Sequence, residues 1–452
     1  MKRWARRTLK GLGLMVFVPA LLVLAWLAFN NRWVDAAPQP VPERLRVAAA
    51  TVPADRNIFF ALIGIDEDEP MAAGQARWVA QQHEGKDGRT HKPWDSRAPW
   101  GCGSKPDTCL EQWMAQPEAL AAQLQADQAR GQRCAALAAA GQDFEELMLE
   151  VTANAGTVNA SLSPHVSAAS RCTRWLLASA VVTAQRGQAA DSMQRLKQAD
   201  RLVRMQLVGS HTLVSHAIAW HAARLQWLTI ATLVARHPAW AAAQADTLAA
   251  LLQPLPEQAL SAERWIAAES RFGRAVMSSI SGNCTLPTPH EKGSIVARSW
   301  GCAIDKIYMP QATQQEADAS WLRKLAQNDQ IAMRAPQQPR FDDQDDGSAY
   351  RWRNTVGHIL VHVGQSSWNG YPKNQADVEL LRQAAALTFR MAAVPAAERP
   401  GWLARQPLDA DLRGRIRLGD DGRQLLVRRW QDTADAPGVG VPLAPTAPLT
   451  PL

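Results

Sequence analysis

Tyrosine is scarce in this 452-residue chain, with 3 against 18 tryptophans, and several signatures of chemistry are missing. No two cysteines form a C-x2-C pair, which removes the commonest zinc-ligand spacing. No Walker or Rossmann glycine pattern occurs, so a nucleotide phosphate has no ready-made cradle. Gly364-Gln365-Ser366-Ser367-Trp368 fails the nucleophile-elbow pattern G-x-S-x-G at its last position. His83-Glu84 and His290-Glu291 open like zinc-protease motifs, but Asp87 and Ser294 stand where the second histidine belongs. Acidic residues are absent from positions 1–32, where Lys2, Arg3, Arg6, Arg7, Lys10 and Arg32 supply six of the seven net positive charges. The rest of the chain is close to neutral, which takes away the basic surface a nucleic-acid partner needs. These absences leave no named reaction.

What is present begins with Gly11 to Phe29, nineteen residues without a charge. As a helix this run covers roughly 28 Å, close to the hydrocarbon thickness of a bilayer. Pro19 lies inside it, a residue better tolerated in membrane helices than in water-exposed ones. The basic flank at 1–10 keeps the N-terminus in the cytoplasm by the positive-inside rule, and everything after about Asn30 is exported. Trp26 and Trp33 fall where an interfacial aromatic belt is expected. A cleaved signal peptide is the competing reading, but Val34-Asp35-Ala36 is a poor cleavage site and the run is longer than a usual signal core. Arg6-Arg7 gives a faint twin-arginine alternative.

Six cysteines follow, at 102, 109, 134, 172, 284 and 302. An even number beyond an export segment fits structural disulfides. Chain order favours Cys102–Cys109 and Cys284–Cys302, which leaves Cys134–Cys172 to tie two helices together. Reduced buried thiols are the alternative; no zinc or other metal site and no cofactor is expected.

Residues 30–54 read as a Pro/Ala-rich tether and 55–110 as a mixed Trp- and Cys-containing subdomain holding the apolar segment Asn57 to Ile65. From 111 to 408 the period is helical. Helices are expected over Met114–Ala140, Phe144–Ala153, Arg171–Arg186, Ala189–Val208, His211–Arg236, Leu260–Ile280, and near 312–333, 349–364 and 375–393. The helix from His211 carries two apolar stripes, implying contacts on two sides. Only one tetratricopeptide-like pair is visible, so the arrangement is read as irregular, antiparallel and solenoid-like at most. Alternation on both sides of Asp421-Gly422 predicts a β-hairpin over 409–434, and the Pro-rich residues 435–452 read as a disordered tail. The fold class is mainly α, with a transmembrane helix at one end and a small hairpin at the other.

The other constellations have plain readings. On a helix His216 points away from His211, while His211 and His221 are roughly 15 Å apart along the axis, so the three do not make a metal site. His358 and His362 share a face but lack a third ligand. Asp342 to Gly347 resembles a calcium loop, but Gln344 and Arg353 occupy its third and twelfth positions. It reads as a solvated turn, as does Asp66-Glu67-Asp68-Glu69. Tryptophans fill cores and also form flat platforms for glycans or peptides. Trp94, Trp100 and Trp113 are the candidates for an exposed cluster, with core packing the plainer role.

The segments NIFFALIGID (57–66), GSHTLVSHAIAWHAARLQWL (209–228), NTVGHILVHVG (354–364) and LDADLRGRIRLGDDGRQLLVRRW (408–430) resemble, in order and spacing, a family of membrane-anchored exported helical proteins of Gram-negative bacteria. The resemblance implies an α-helical periplasmic domain held at the inner membrane by a single pass. It assigns no catalytic or binding residue. The expected role is a non-catalytic scaffold, adaptor or assembly factor, with the bilayer and an envelope protein as partners and no nucleic acid. The alternative is an envelope hydrolase or lyase acting on glycan or peptide, which requires a pocket with a perturbed carboxylate or histidine near residues 78–113.

Overall fold

The computed structural model describes residues 17–84, 106–139, 141–148, 164–280, 306–333, 353–366, 368, 370–408, 410–430, 432 and 438–444. The protein is mainly α-helical, with a small antiparallel sheet near its C-terminus. Residues 17–29 are helical (α1). Then follow α2 (Ile58–Ile63), α3 (Pro70–Glu84), α4 (Pro106–Ala115), α5 (Pro117–Ala126), α6 (Gln128–Leu137), α7 (Pro164–Gln185), α8 (Ala189–Gly209) and α9 (Leu213–Arg236). After these come α10 (Pro238–Ala243), α11 (Ala245–Leu251), α12 (Glu257–Leu260), α13 (Glu263–Ile280), α14 (Pro310–Met333), α15 (Thr355–Ser366), α16 (Tyr371–Met391), α17 (Arg399–Ala404) and α18 (Ala410–Arg413).

The core is built around α9, which is buried on nearly every side from Ala222 to Ala235. Its Ala/Leu-rich sequence suits a helix with neighbours all round, and His237 followed by Pro238 closes it because proline starts a helix better than it continues one. The antiparallel pair α7 and α8 packs on it, and α4, α13 and α16 also touch it. Gly187, at φ 72°, makes the tight reversal between α7 and α8. Helices stacked in chain order, as in a solenoid, would not converge on one rod, so the solenoid-like expectation gives way to a central helix wrapped by others.

Cys134 on α6 and Cys172 on α7 form a disulfide, with both residues fully buried. It joins two helices, as expected. Cys109 is also disulfide-bonded; Cys102, Cys284 and Cys302 lie outside the described residues.

Three local expectations are corrected. The single helix expected over 114–140 is broken, because Pro117 takes the first position of α5 and Asp127 separates α5 from α6. Residues 144–148 are not helical, and 149–153, the rest of the helix expected there, lie outside the described residues. Asp143 pairs with Asn57 in a parallel bridge, and the Asn57 side chain bonds the backbone of Glu145 twice, at 2.8 and 3.0 Å. Finally, the hairpin gains a third strand. β1 (Ile416–Leu418), β2 (Gln424–Val427) and β3 (Val439–Pro442) pair in that order. β3 comes from the segment expected to be a disordered tail. Val439 and Val441 alternate with Gly440 and Pro442, which gives one buried face, and proline is tolerated on an edge strand.

Residues 30–54 lie along the helical body. Asp35 accepts the Gln311 and Ala312 amides at 2.8 and 2.9 Å, capping the start of α14. Leu45 is fully buried, and Arg274 donates to its carbonyl at 3.1 Å. Among the described residues no helix is long and apolar enough to cross a membrane. Residues 11–16, the first part of the expected span, lie outside them.

A carboxylate–histidine cluster at the start of α9

Adjacent glutamates in the segment 143–148 reach the same corner of the fold. Gly209, at the end of α8, lets that segment pass: a Cβ there would overlap the Phe144 carbonyl. The Glu146 amide then bonds the Gly209 carbonyl at 2.9 Å. This turns the Glu146 side chain into the N-terminus of α9, where backbone N–H groups have no helical partner and the helix dipole favours an anion.

Glu146 is buried and has five hydrogen-bonding partners. Its Oε2 accepts the His211 and Thr212 amides, both at 2.7 Å. Its Oε1 accepts the Thr212 hydroxyl at 2.9 Å and the Ser215 hydroxyl at 2.5 Å, and lies 3.1 Å from His165 Nε2. Burial pushes this carboxyl up, but His165, Ser215 and Thr212 together outweigh it and hold it at about 2. Thr212 is the N-cap, its hydroxyl accepting the Ser215 amide at 3.2 Å.

Glu145 accepts the Thr51 and Val52 amides at 2.6 and 2.8 Å, and its other oxygen faces His211 Nε2 at 3.6 Å. Burial raises this carboxyl; the two amides and His211 lower it further, for a net shift down. His211 is shifted down, first by burial and then by Arg264, against the pull of the two glutamates. Glu269 on α13 accepts the Leu213 amide at 3.2 Å. Burial, reinforced by the Glu146 charge and only partly offset by that amide, raises it to about 7.

A cleft of about 230 Å³ opens beside the cluster, lined by Val47, Ala50, Trp78, Glu146, His211 and Arg271 among others. It joins a tryptophan face, an anion, a histidine and a cation. Glu146, His165 and Ser215 have the composition of an acyl-transfer triad but not its geometry. One nitrogen of His165 serves both Glu146 and Ser215, the latter at 3.3 Å, so the carboxylate does not orient the base from the opposite side of the ring. The arrangement secures the start of α9.

The residues singled out in the sequence fall elsewhere, apart from His211. Trp113 is 1% exposed and belongs to the core, so it offers no open platform; Trp94 and Trp100 lie outside the described residues. His216 is buried edge-on to Trp220 at 4.9 Å, and burial lowers it to about 4. His221 is held at about 4 by burial and by Arg174 and Arg224. His358 bonds Glu316, and its ring stacks 6.4 Å from that of His362. Among the described residues no group of three or more potential ligands could hold a metal ion. The acidic turn is tied down internally, with Asp66 2.8 Å from Arg130 and Glu67 on Arg77; residues 341–347 lie outside the described residues. Sequence reasoning missed Glu145, Glu146, His165 and Glu269. The available signal was Thr212-x-x-Ser215 at a helix start, which implies a cap but not a carboxylate from 66 residues away.

No family model, curated protein or solved structure matches this chain. The resemblance to anchored periplasmic proteins therefore rests on the quoted segments alone.

Proposed function

We infer that the protein is a single-pass inner-membrane protein, with residues 11–29 as its transmembrane helix and its helical domain in the periplasm. There it acts by contact, as a scaffold, adaptor or assembly factor. The observation that carries this reading is α1 itself. Phe17, Leu24 and Phe29 are 63%, 62% and 58% exposed, and Leu21, Leu22 and Val23 are bare as well. A helix that leaves these large apolar side chains exposed suits lipid and is costly in water. The Cys134–Cys172 bond suits an oxidising compartment. A tandem reporter at the C-terminus tests the placement: alkaline phosphatase activity without cytosolic fluorescence is expected. Cytosolic fluorescence alone would refute it.

A second reading, an envelope hydrolase or lyase acting on glycan or peptide, is favoured by Glu269. A carboxyl near 7 beside the anionic Glu146 can carry a proton at neutral pH, and the cleft bears a tryptophan. Glu269→Gln should then abolish turnover on glycan or peptide panels; a panel with no turnover by the parent protein would remove this reading.

A further inference from the structure

We propose that the start of α15 and the turn at Trp33-Val34 form a second membrane contact, a docking face for the lipid headgroup zone beside the anchor. The proposal rests on the anchor reading and adds the attitude of the domain to it.

The end of α1 is fastened directly to α15. Trp26 Nε1 donates to the Thr355 hydroxyl at 3.3 Å, and the Thr355 amide donates to Asn30 Oδ1 at 3.2 Å. Asn30 is itself buried and donates back to the Trp26 carbonyl at 2.9 Å. Arg353 donates to the Val34 carbonyl at 2.9 Å, and Asp35 caps α14 six residues after the apolar run ends at Phe29. The chain thus leaves α1 without slack, and the first turn of α15 must sit at the height of the anchor's end.

The surface there is apolar where solvent would be expected. Trp33 is 93% exposed, Val34 45% and Ile359 41%. Ile359 is four residues from Thr355, so the two share a helix face about 6 Å apart. The headgroup zone is about 5–7 Å deep on each side of the hydrocarbon. Running along the membrane or away from it, α15 keeps Ile359 within the zone or at its edge; if it runs inward, Ile359 meets hydrocarbon, which also suits its side chain. Tryptophan favours that depth because its ring is amphipathic, and the exposed Arg353 adds a cation for phosphate. Continuity with α1 identifies the occupant as the bilayer.

The test uses the full chain in phosphatidylethanolamine–phosphatidylglycerol vesicles, with a benzophenone amino acid placed singly at Leu24, Trp33 or Ile359. All three positions are exposed, so the replacement does not disturb the core. After irradiation, covalent lipid on the peptides from all three positions is the expected result. Adducts at Leu24 with none at Trp33 and Ile359 would overturn the docking face and leave the anchor standing. Absence of adducts at Leu24 would overturn the anchor, and the docking face with it.

Discussion

Glu269→Gln gives the sharpest test of the cluster's electrostatics. The Glu269 carboxyl moves from an ordinary value of 4.5 to about 7 in the folded protein. Between those values the native state holds a proton that the unfolded chain has released. Stability is therefore fully present below about 4.5 and declines as pH rises through 7. The loss is about 3 kcal/mol for a shift of this size. Glutamine keeps an oxygen to accept the Leu213 amide but cannot ionise. The variant should match the parent at pH 4 and be more stable by about 3 kcal/mol at pH 8. Urea unfolding of the full chain in detergent micelles, followed by tryptophan fluorescence at both pH values, measures the difference. A variant equally stable to the parent at pH 8, or destabilised at both values, would refute the buried charge.

Glu146→Ala should lose about 3–5 kcal/mol, because it orphans a set of buried donors at a helix start; a loss under about 1 kcal/mol in the same unfolding assay would contradict the clasp. Glu146 also sets an acid limit: its contribution is present above about 4.5 and lost as pH falls toward 2, so circular dichroism should show α9 loosening over that window in the parent but not in Glu146→Gln. Reduction of Cys134–Cys172, which closes a loop across 38 positions, should cost about 4 kcal/mol by loop-closure entropy, read as the change in urea midpoint with and without reductant in Cys134→Ala/Cys172→Ala against the parent. Gly209→Ala should cost about 3 kcal/mol, since its Cβ meets backbone and not a movable side chain, and a thermal melt of the variant checks it.

Much of the helical framework was legible. The helices from Arg171, Ala189 and His211 lie within a few residues of their expected starts or ends, because their apolar period is uninterrupted and glycine or proline marks their limits. The Asp421-Gly422 turn was legible for a related reason, as few residues accept its backbone. Residues 143–148 were misread because Phe144 to Met148 has a helical composition; tertiary pairing with Asn57 overrides that propensity. β3 was hidden by Pro442 and by the prolines on either side of it; an edge strand accommodates the one it contains. The candidate cluster was the least legible part. Its members come from five places in the chain, and nothing local to Glu146 announces that its partners are the amides of a distant helix. The tryptophan count allowed two readings, and Trp113 takes the plainer one by packing in the core.

The strap from Asn30 to Val52 sets how far the protein can act. It is fixed at Asp35, at Leu45 and again at Glu145, so the domain is not a ball on a leash. Whatever holds α1 also fixes the tilt of the strap and of the helices bonded to it. A pull on α1 would be felt first at Thr355, where Trp26 and Asn30 fasten it to α15, and next at the cap of α14.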